Sequence, residues 1–292
     1  MSDAAARSER PTPPSFQGTG AALRAGGAGG TRLSALDLSP PATEGGRAAP
    51  LARMLVAQTW QEVLLSLRRG ESVLVTLVIP VVLLAFFMSV GALPVPIARP
   101  IDFLLPGMLA LAVMATGLAN LGIATAYERG DGVLKRLGAT PLPRAGLVVA
   151  KLLSVVILEV VQVAVLVGLA FVAYGWRPQG APGLALLALL LGTAAFAGLG
   201  LLMAGTLRPE ATLAGANGLF LVLLLLGGLF LPLSALPAWM AAIGHLLPAA
   251  ALADTLRGAL AQPTDVPPGS AALLLIWSVA APLAAALTFQ WE

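Results

Sequence analysis

A chain of 292 residues that is 58% hydrophobic and only 11% charged is unlike soluble domains, which are nearer half apolar and about a quarter charged. Its mean hydropathy is +0.90, and the absence of cysteine excludes disulfides, thiol chemistry and cysteine metal sites. The net charge of +3 needs no nucleic acid to explain it, because basic residues border membrane spans on the cytoplasmic side. An all-α integral membrane protein is therefore expected.

Residues 1–49 are rich in Pro, Gly, Ala and Ser, with too little bulky apolar content to offset the entropy of ordering. They read as a disordered cytoplasmic tail. Its Arg7, Arg10, Arg24, Arg32 and Arg47 lie near anionic lipid or do nothing specific. The stretch holds no apolar run of the signal-peptide kind.

From Pro50 to Gly70 the pattern becomes PLARMLVAQTWQEVLLSLRRG. Val56, Trp60, Val63, Leu64 and Leu67 follow helical spacing on one face, and Gln58, Gln61, Glu62 and Arg69 occupy the other. Such a helix suits the headgroup boundary. We expect an amphipathic elbow helix on the cytoplasmic surface, rather than an extension of the first span.

Six apolar blocks follow, at about 73–93, 103–124, 146–173, 183–207, 211–233 and 271–289. Each approaches or exceeds the roughly 20 residues that cross a hydrocarbon core. Buried helices of a soluble protein would carry polar stripes that these blocks lack. Residues 50–292 thus read as one six-span transmembrane domain. With the N-terminus inside, the cytoplasmic side receives Arg53, Arg68, Arg69, Arg129, Lys135, Arg136, Arg144, Lys151 and Arg208. The outside receives Arg99, Arg177 and Arg257. Nine against three places both termini in the cytoplasm, in a multi-pass protein of the cell membrane.

The loop between the second and third blocks carries most of the central charge: AYERGDGVLKRLGATPLPRAGLVVAK, residues 126–151. Glu128, Arg129 and Asp131 end the second span, and Gly130 and Gly132 loosen the junction. VLKRL can form a short helix with Leu134 and Leu137 on one face and Lys135 and Arg136 elsewhere. Thr140-Pro141 stops that helix, and Pro143 keeps the chain extended. A short, stiff helix held at both ends by spans suits docking against a cytoplasmic partner. A solvated, positive-inside loop explains the same composition equally well.

Glu159 and Gln162 lie one turn apart near the middle of the third block. A carboxylate there costs about 2.5–3.5 kcal/mol on insertion scales, so it should face protein or water. It reads either as a pathway or gating group engaging cationic drugs, or as a packing group held by a partner. Asn120, Asn217, and the pairs Ala194/Gly198 and Gly200/Ala204 suit close helix packing.

Between the last two blocks the chain is apolar but broken by Pro237, Pro248 and Pro263. Its pieces are too short to cross, so an extracellular re-entrant or interfacial hairpin is expected, with Trp239 and His245 near the outer headgroups. Asp254 and Arg257, three apart, read as an ordinary helix pair.

Reactive groups are scarce. His245 is the one histidine, and no ligand cluster for a metal or paired acids for catalysis stand out. The two lysines, Lys135 and Lys151, follow Leu134 and Ala150, so the Gly-Lys-Ser/Thr of a phosphate-binding Walker loop is missing. If ATP powers this chain, another polypeptide binds it. No catalytic residue and no cofactor are assigned to the chain itself.

At this point ERGDGVLKRLGATPLPR resembles the signature of the ABC type-two exporter permeases, the daunorubicin-resistance group being nearest. In them a Glu-Arg pair, a Gly-x-Leu-x-Arg-Leu stretch and an Ala-Thr-Pro turn follow the second span. GGLFLPLSALPAWMAAIGHLLPAAALADTLRGAL is similar to the family's Phe-x-Pro, Leu-Pro-x-Trp, Leu-x-Pro and Leu-Arg pattern, carried here by Pro232, Pro237, Trp239, Pro248 and Arg257. The resemblance runs from Leu51 to Phe289. It departs at Gly138, where a bulky residue is commoner, and at Asp131, and it excludes the tail.

The resemblance implies a coupling region from Glu128 to Arg144, with Glu128, Arg129, Gly132, Leu134, Arg136, Leu137, Thr140 and Pro141 engaging a separate ABC ATPase that holds ATP and magnesium. It also implies a second permease copy or paralogue in the bilayer. The expected function is the permease subunit of an ATP-driven exporter of an amphipathic drug, lipid or lipid-linked glycan. The alternative is a proton-coupled drug transporter with Glu159 as carrier, although no internal repeat of the secondary-transporter kind stands out. An intramembrane enzyme acting on lipid would lack its paired acids.

Overall fold

The computed structural model describes residues 49–68, 70, 74–90, 99–134, 143–261 and 263–289. The tail expected over residues 1–49 falls almost wholly outside that set. So do residues 135–142, the heart of the central loop.

The described residues are helical with short connections and contain no strand. Helix α1 spans Leu51–Arg68. A π-helical turn, Leu74–Val78, leads into α2, Ile79–Val90. The longest apolar elements are α3 (Pro100–Gly130), α4 (Arg144–Tyr174), α5 (Pro182–Thr206), α6 (Pro209–Leu226) and α9 (Pro268–Thr288). Each of these five is long and apolar enough to cross a membrane, while the described part of the first block is shorter. Between α6 and α9, α7 (Ala238–Gly244) and α8 (Pro248–Leu260) are bent by 81° at their junction, as befits a broken span or re-entrant hairpin. The molecule is a multi-pass, all-α membrane protein.

The helix boundaries follow local chemistry. Pro100, Pro182, Pro209, Pro248 and Pro268 all start helices, where a fixed φ helps and the missing N–H is unneeded. Helix α4 ends at Gly175, whose φ of 62° is left-handed. Gly175 N–H bonds Phe171 O at 3.2 Å and Trp176 N–H bonds Ala170 O at 3.0 Å, which satisfies orphan carbonyls. Helix α6 stops at Leu226, short of the boundary expected at 233, because Gly228 takes a φ of 65° and turns the chain.

Helix α3 is the axis of the bundle. Its 18-residue apolar core is 89% buried, against 17% for α6 and 22% for α9, so α3 contacts protein while α6 and α9 present most of their side chains outward. Leu104, Leu105, Met108, Met114 and Leu118 of α3 pack with Phe196 of α5 and Leu252 and Leu256 of α8 in the main core. Near the middle of the bundle α3 widens into a π-helical segment, Ala115–Leu121, where Gly117 and Gly122 meet Gly200 of α5 almost backbone to backbone. On the far side of α5, Gly198 admits Pro282 of α9. The small residues picked out in the fourth block thus let α5 approach two helices at once, as packing without a hydrophobic drive between spans requires.

Candidate coupling node and transport groove

At the loop end of the bundle, three helices converge on one ammonium. Lys151, about two turns into α4, donates to Glu62 of α1 at 3.1 and 3.0 Å and to Glu128 of α3 at 2.6 Å. Gln58 adds a bond to Glu62 at 2.9 Å. The side chains of Lys151, Glu62 and Glu128 are only 4%, 11% and 12% exposed, so bulk water screens these bonds little.

This corrects the reading of the elbow helix. Of the apolar face, Val56, Trp60 and Leu67 are exposed but Val63 is buried, together with Thr59 and Glu62. The exposed face is the one suited to lipid headgroups, and Glu62 turns inward because Lys151 supplies the charge that its burial demands.

Beside the node, Arg129 donates to the carbonyl of Gly205 at 2.5 Å and also to Leu207 O. These carbonyls terminate α5, where a cation both fills orphan acceptors and opposes the dipole. Gly130 lies directly against Pro209. The Glu-Arg pair therefore has divided labour: Glu128 ties α3 to α4 and α1, and Arg129 ties it to the α5–α6 turn. Gly132 has a φ of 70°, and Leu134 is buried. Arg136, Leu137, Thr140 and Pro141 lie outside the described residues.

A cavity of about 660 Å³ opens beside this node. Leu147 and Leu152 of α4, Ala194 and Leu201 of α5, Pro282 of α9 and Phe289 just after it are among its walls, and Lys151 also lines it. All three donors of Lys151 are already used, so the groove is apolar in effect, with Thr125 and Ser278 as its uncharged polar lining.

In mid-bundle, Glu159 and Gln162 both face protein. The Thr193 hydroxyl of α5 lies 2.5 Å from Glu159 Oε2, and Glu159 Oε1 is buried without a hydrogen-bond partner. Gln162 exchanges hydrogen bonds with Thr116 of α3 at 3.0 and 2.9 Å. The two residues share a turn but reach different helices.

At the opposite end, Arg257 of α8 does far more than pair with Asp254 at 3.0 Å. It donates to Gly228 O at 2.7 Å and Leu229 O at 3.3 Å, and its guanidinium carbon lies 3.8 Å from the centre of the Phe103 ring. The hairpin is thereby bolted to α3 and to the end of α6. Trp277 of α9 donates to Leu246 O at 3.2 Å, and Pro248 is buried at the start of α8. Trp239, Pro237 and His245 are exposed, and Pro232 begins the short turn that leads into the hairpin.

The family model of the ABC-2 type transporter matches residues 54–261, more than half of the chain, from the elbow helix through the hairpin. The chain belongs to the ABC-2 type transporter family. A search of curated proteins finds similarity to "Putative transport permease YvfS" of Bacillus subtilis (strain 168), 29% identical over 204 residues, covering 67% of this chain and 80% of that protein. It also finds "ABC transporter G family member 20" of Dictyostelium discoideum, 30% identical over 165 residues, covering 56% of this chain but 22% of that longer protein. Within this ABC-2 permease, Lys151, Glu62, Thr193 and Thr116 are functional-site candidates that motif reading passes over. Lys151 did leave a signal, as a lone cation inside the apolar run GLVVAKLLSVV.

Proposed function

We propose that this permease is the membrane subunit of an ATP-driven exporter, powered by a separate ATPase subunit that binds ATP and magnesium and docks on the loop between α3 and α4. The observation that carries this reading is the mount of that loop. Glu128 and Lys151 bond at 2.6 Å at its two roots, and Arg129 braces the same root against α5. A loop mounted in this way moves helices when it is pushed, and rigid-body rocking of packed helices is a common way to switch access.

The apolar groove of about 660 Å³ has the size of a small-molecule site and supports an amphipathic cargo with a large apolar part. Outward transport, both termini in the cytoplasm, and pairing with a second copy or paralogue complete the proposal. The proton-coupled alternative rests on Glu159, which lines neither this groove nor the small cavity beside Gln162. That separation favours ATP as the energy source.

The test is Leu137→Asp on the docking loop. With the permease still folded and in the membrane, ATP-dependent efflux should fall at least tenfold. Unchanged efflux would refute ATPase docking there.

A further inference from the structure

We propose that Lys151 is a positioning residue that yokes the elbow helix α1 to both spans flanking the docking loop, so that loop displacement reaches α1 and α4 together. The proposal rests on the docking reading above.

An ammonium has three N–H donors. Here all three are spent, two on the carboxylate of Glu62 and one on Glu128. One cation thus serves two carboxylates, from helices that do not follow one another in sequence. Two carboxylates share this one cation, so the ammonium is the partner whose loss leaves buried charge uncompensated, and that makes the node costly to break whatever its net contribution to folding. Apolar packing between α1 and α4 would hold them together yet let them slide, because hydrophobic attraction has no direction. Directed charge-assisted bonds fix the register.

The outward aspect of α1 fits such a role. Its fully buried residues are Thr59, Glu62 and Val63, with Met54, Leu55, Gln58 and Leu64 half-buried beside them, while Val56, Trp60 and Leu67 are exposed. Two of the three fully buried residues of α1 are polar, so the directed bonds of the ion node fix the register that the apolar contacts leave free. Removing the ammonium should therefore loosen α1 specifically, leaving the α3–α5–α8 core in place.

Two readouts test this. The cysteine-free sequence allows spin labels at Gln61→Cys on α1 and Leu153→Cys on α4, both exposed, in the permease alone in lipid nanodiscs. Lys151→Met should broaden the measured distance distribution. Lys151→Arg, which keeps a cation between the two carboxylates, should keep it narrow. An unchanged distribution in Lys151→Met overturns the yoke whether or not any ATPase docks.

The second readout is cargo moved per ATP hydrolysed, in vesicles holding the permease and its ATPase subunit. Lys151→Met should lower that ratio at least fivefold while hydrolysis stays within about twofold, and Lys151→Arg should keep most of it. A merely structural residue would lower both together, and that result overturns the proposal. If Lys151→Met does not fold, Glu62→Gln takes its place with a smaller expected effect in the same directions. Wild-type permease that moves nothing with ATP would instead overturn the exporter reading, and the distance measurement would still decide the yoke.

Discussion

The guanidinium of Arg257 lies over the ring of Phe103, 3.8 Å from its centre, joining the hairpin helix α8 to the start of α3. The same group bonds the carbonyls of Gly228 and Leu229. Gly107 makes this possible, since a Cβ there would fall 2.1 Å from Leu229 O. Arg257→Ala strands two carbonyls and Asp254, at about 2–4 kcal/mol. Arg257→Lys keeps the charge but loses the planar fork and most of the stacking. Thermal unfolding in detergent should rank wild type above Lys above Ala, and equal midpoints for Lys and wild type would contradict the fork.

The α3–α5 crossing gives a paired test. A Cβ on Gly200 would lie 2.6 Å from Gly117 O, whereas a Cβ on Gly168 of α4 meets nothing within 4 Å. Gly200→Ala should destabilise by about 1–3 kcal/mol through overpacking. Gly168→Ala should be neutral or stabilise by up to about 1 kcal/mol, through helix propensity. Thermal midpoints of the two variants should move in opposite directions or differ clearly in size.

Glu159→Gln places an amide opposite Thr193. The amide can donate to the Thr193 hydroxyl while that hydroxyl donates to Leu189 O, now 2.8 Å away. Stability should hold, and ATP-driven transport should fall by no more than about threefold. Complete loss, together with transport driven by a pH gradient in vesicles without ATP, would transfer the mechanism to proton exchange.

Ala194 lines the groove and is only half-buried. Ala194→Phe should fill part of that space with little effect on folding, since the new ring has room. Cargo transport should drop severalfold, through a raised KM for bulky cargo, while ATP hydrolysis by the assembled complex persists. Unaltered transport kinetics would remove the groove from the cargo path.

The isolated permease, purified without a partner, should show no ATP hydrolysis above that of an empty-vector preparation, because no Gly-Lys-Ser/Thr loop occurs in the sequence. Turnover by the single polypeptide would require a nucleotide site of another kind.

Much of the architecture was legible in the sequence because its signals are local. Apolar blocks and chain-breaking prolines act within a few residues of themselves, and the paired motifs carried the family, whereas the Gly228 turn that ends α6 early was not read. The sequence also marked Glu128, Arg129 and Arg257 as residues of interest. It did not say what they hold. Glu62 sat on the polar face of an amphipathic pattern, and periodicity assigns such a residue to water. Only tertiary structure brings Lys151 of α4 within 3.0 Å of it. A buried charge is defined by its partners, and those partners lie on other helices, far away along the chain. The same holds for Thr193 beside Glu159 and for Phe103 beneath Arg257. Hydropathy determined which segments enter the membrane; the docking of helix on helix decided which charges could afterwards be buried there.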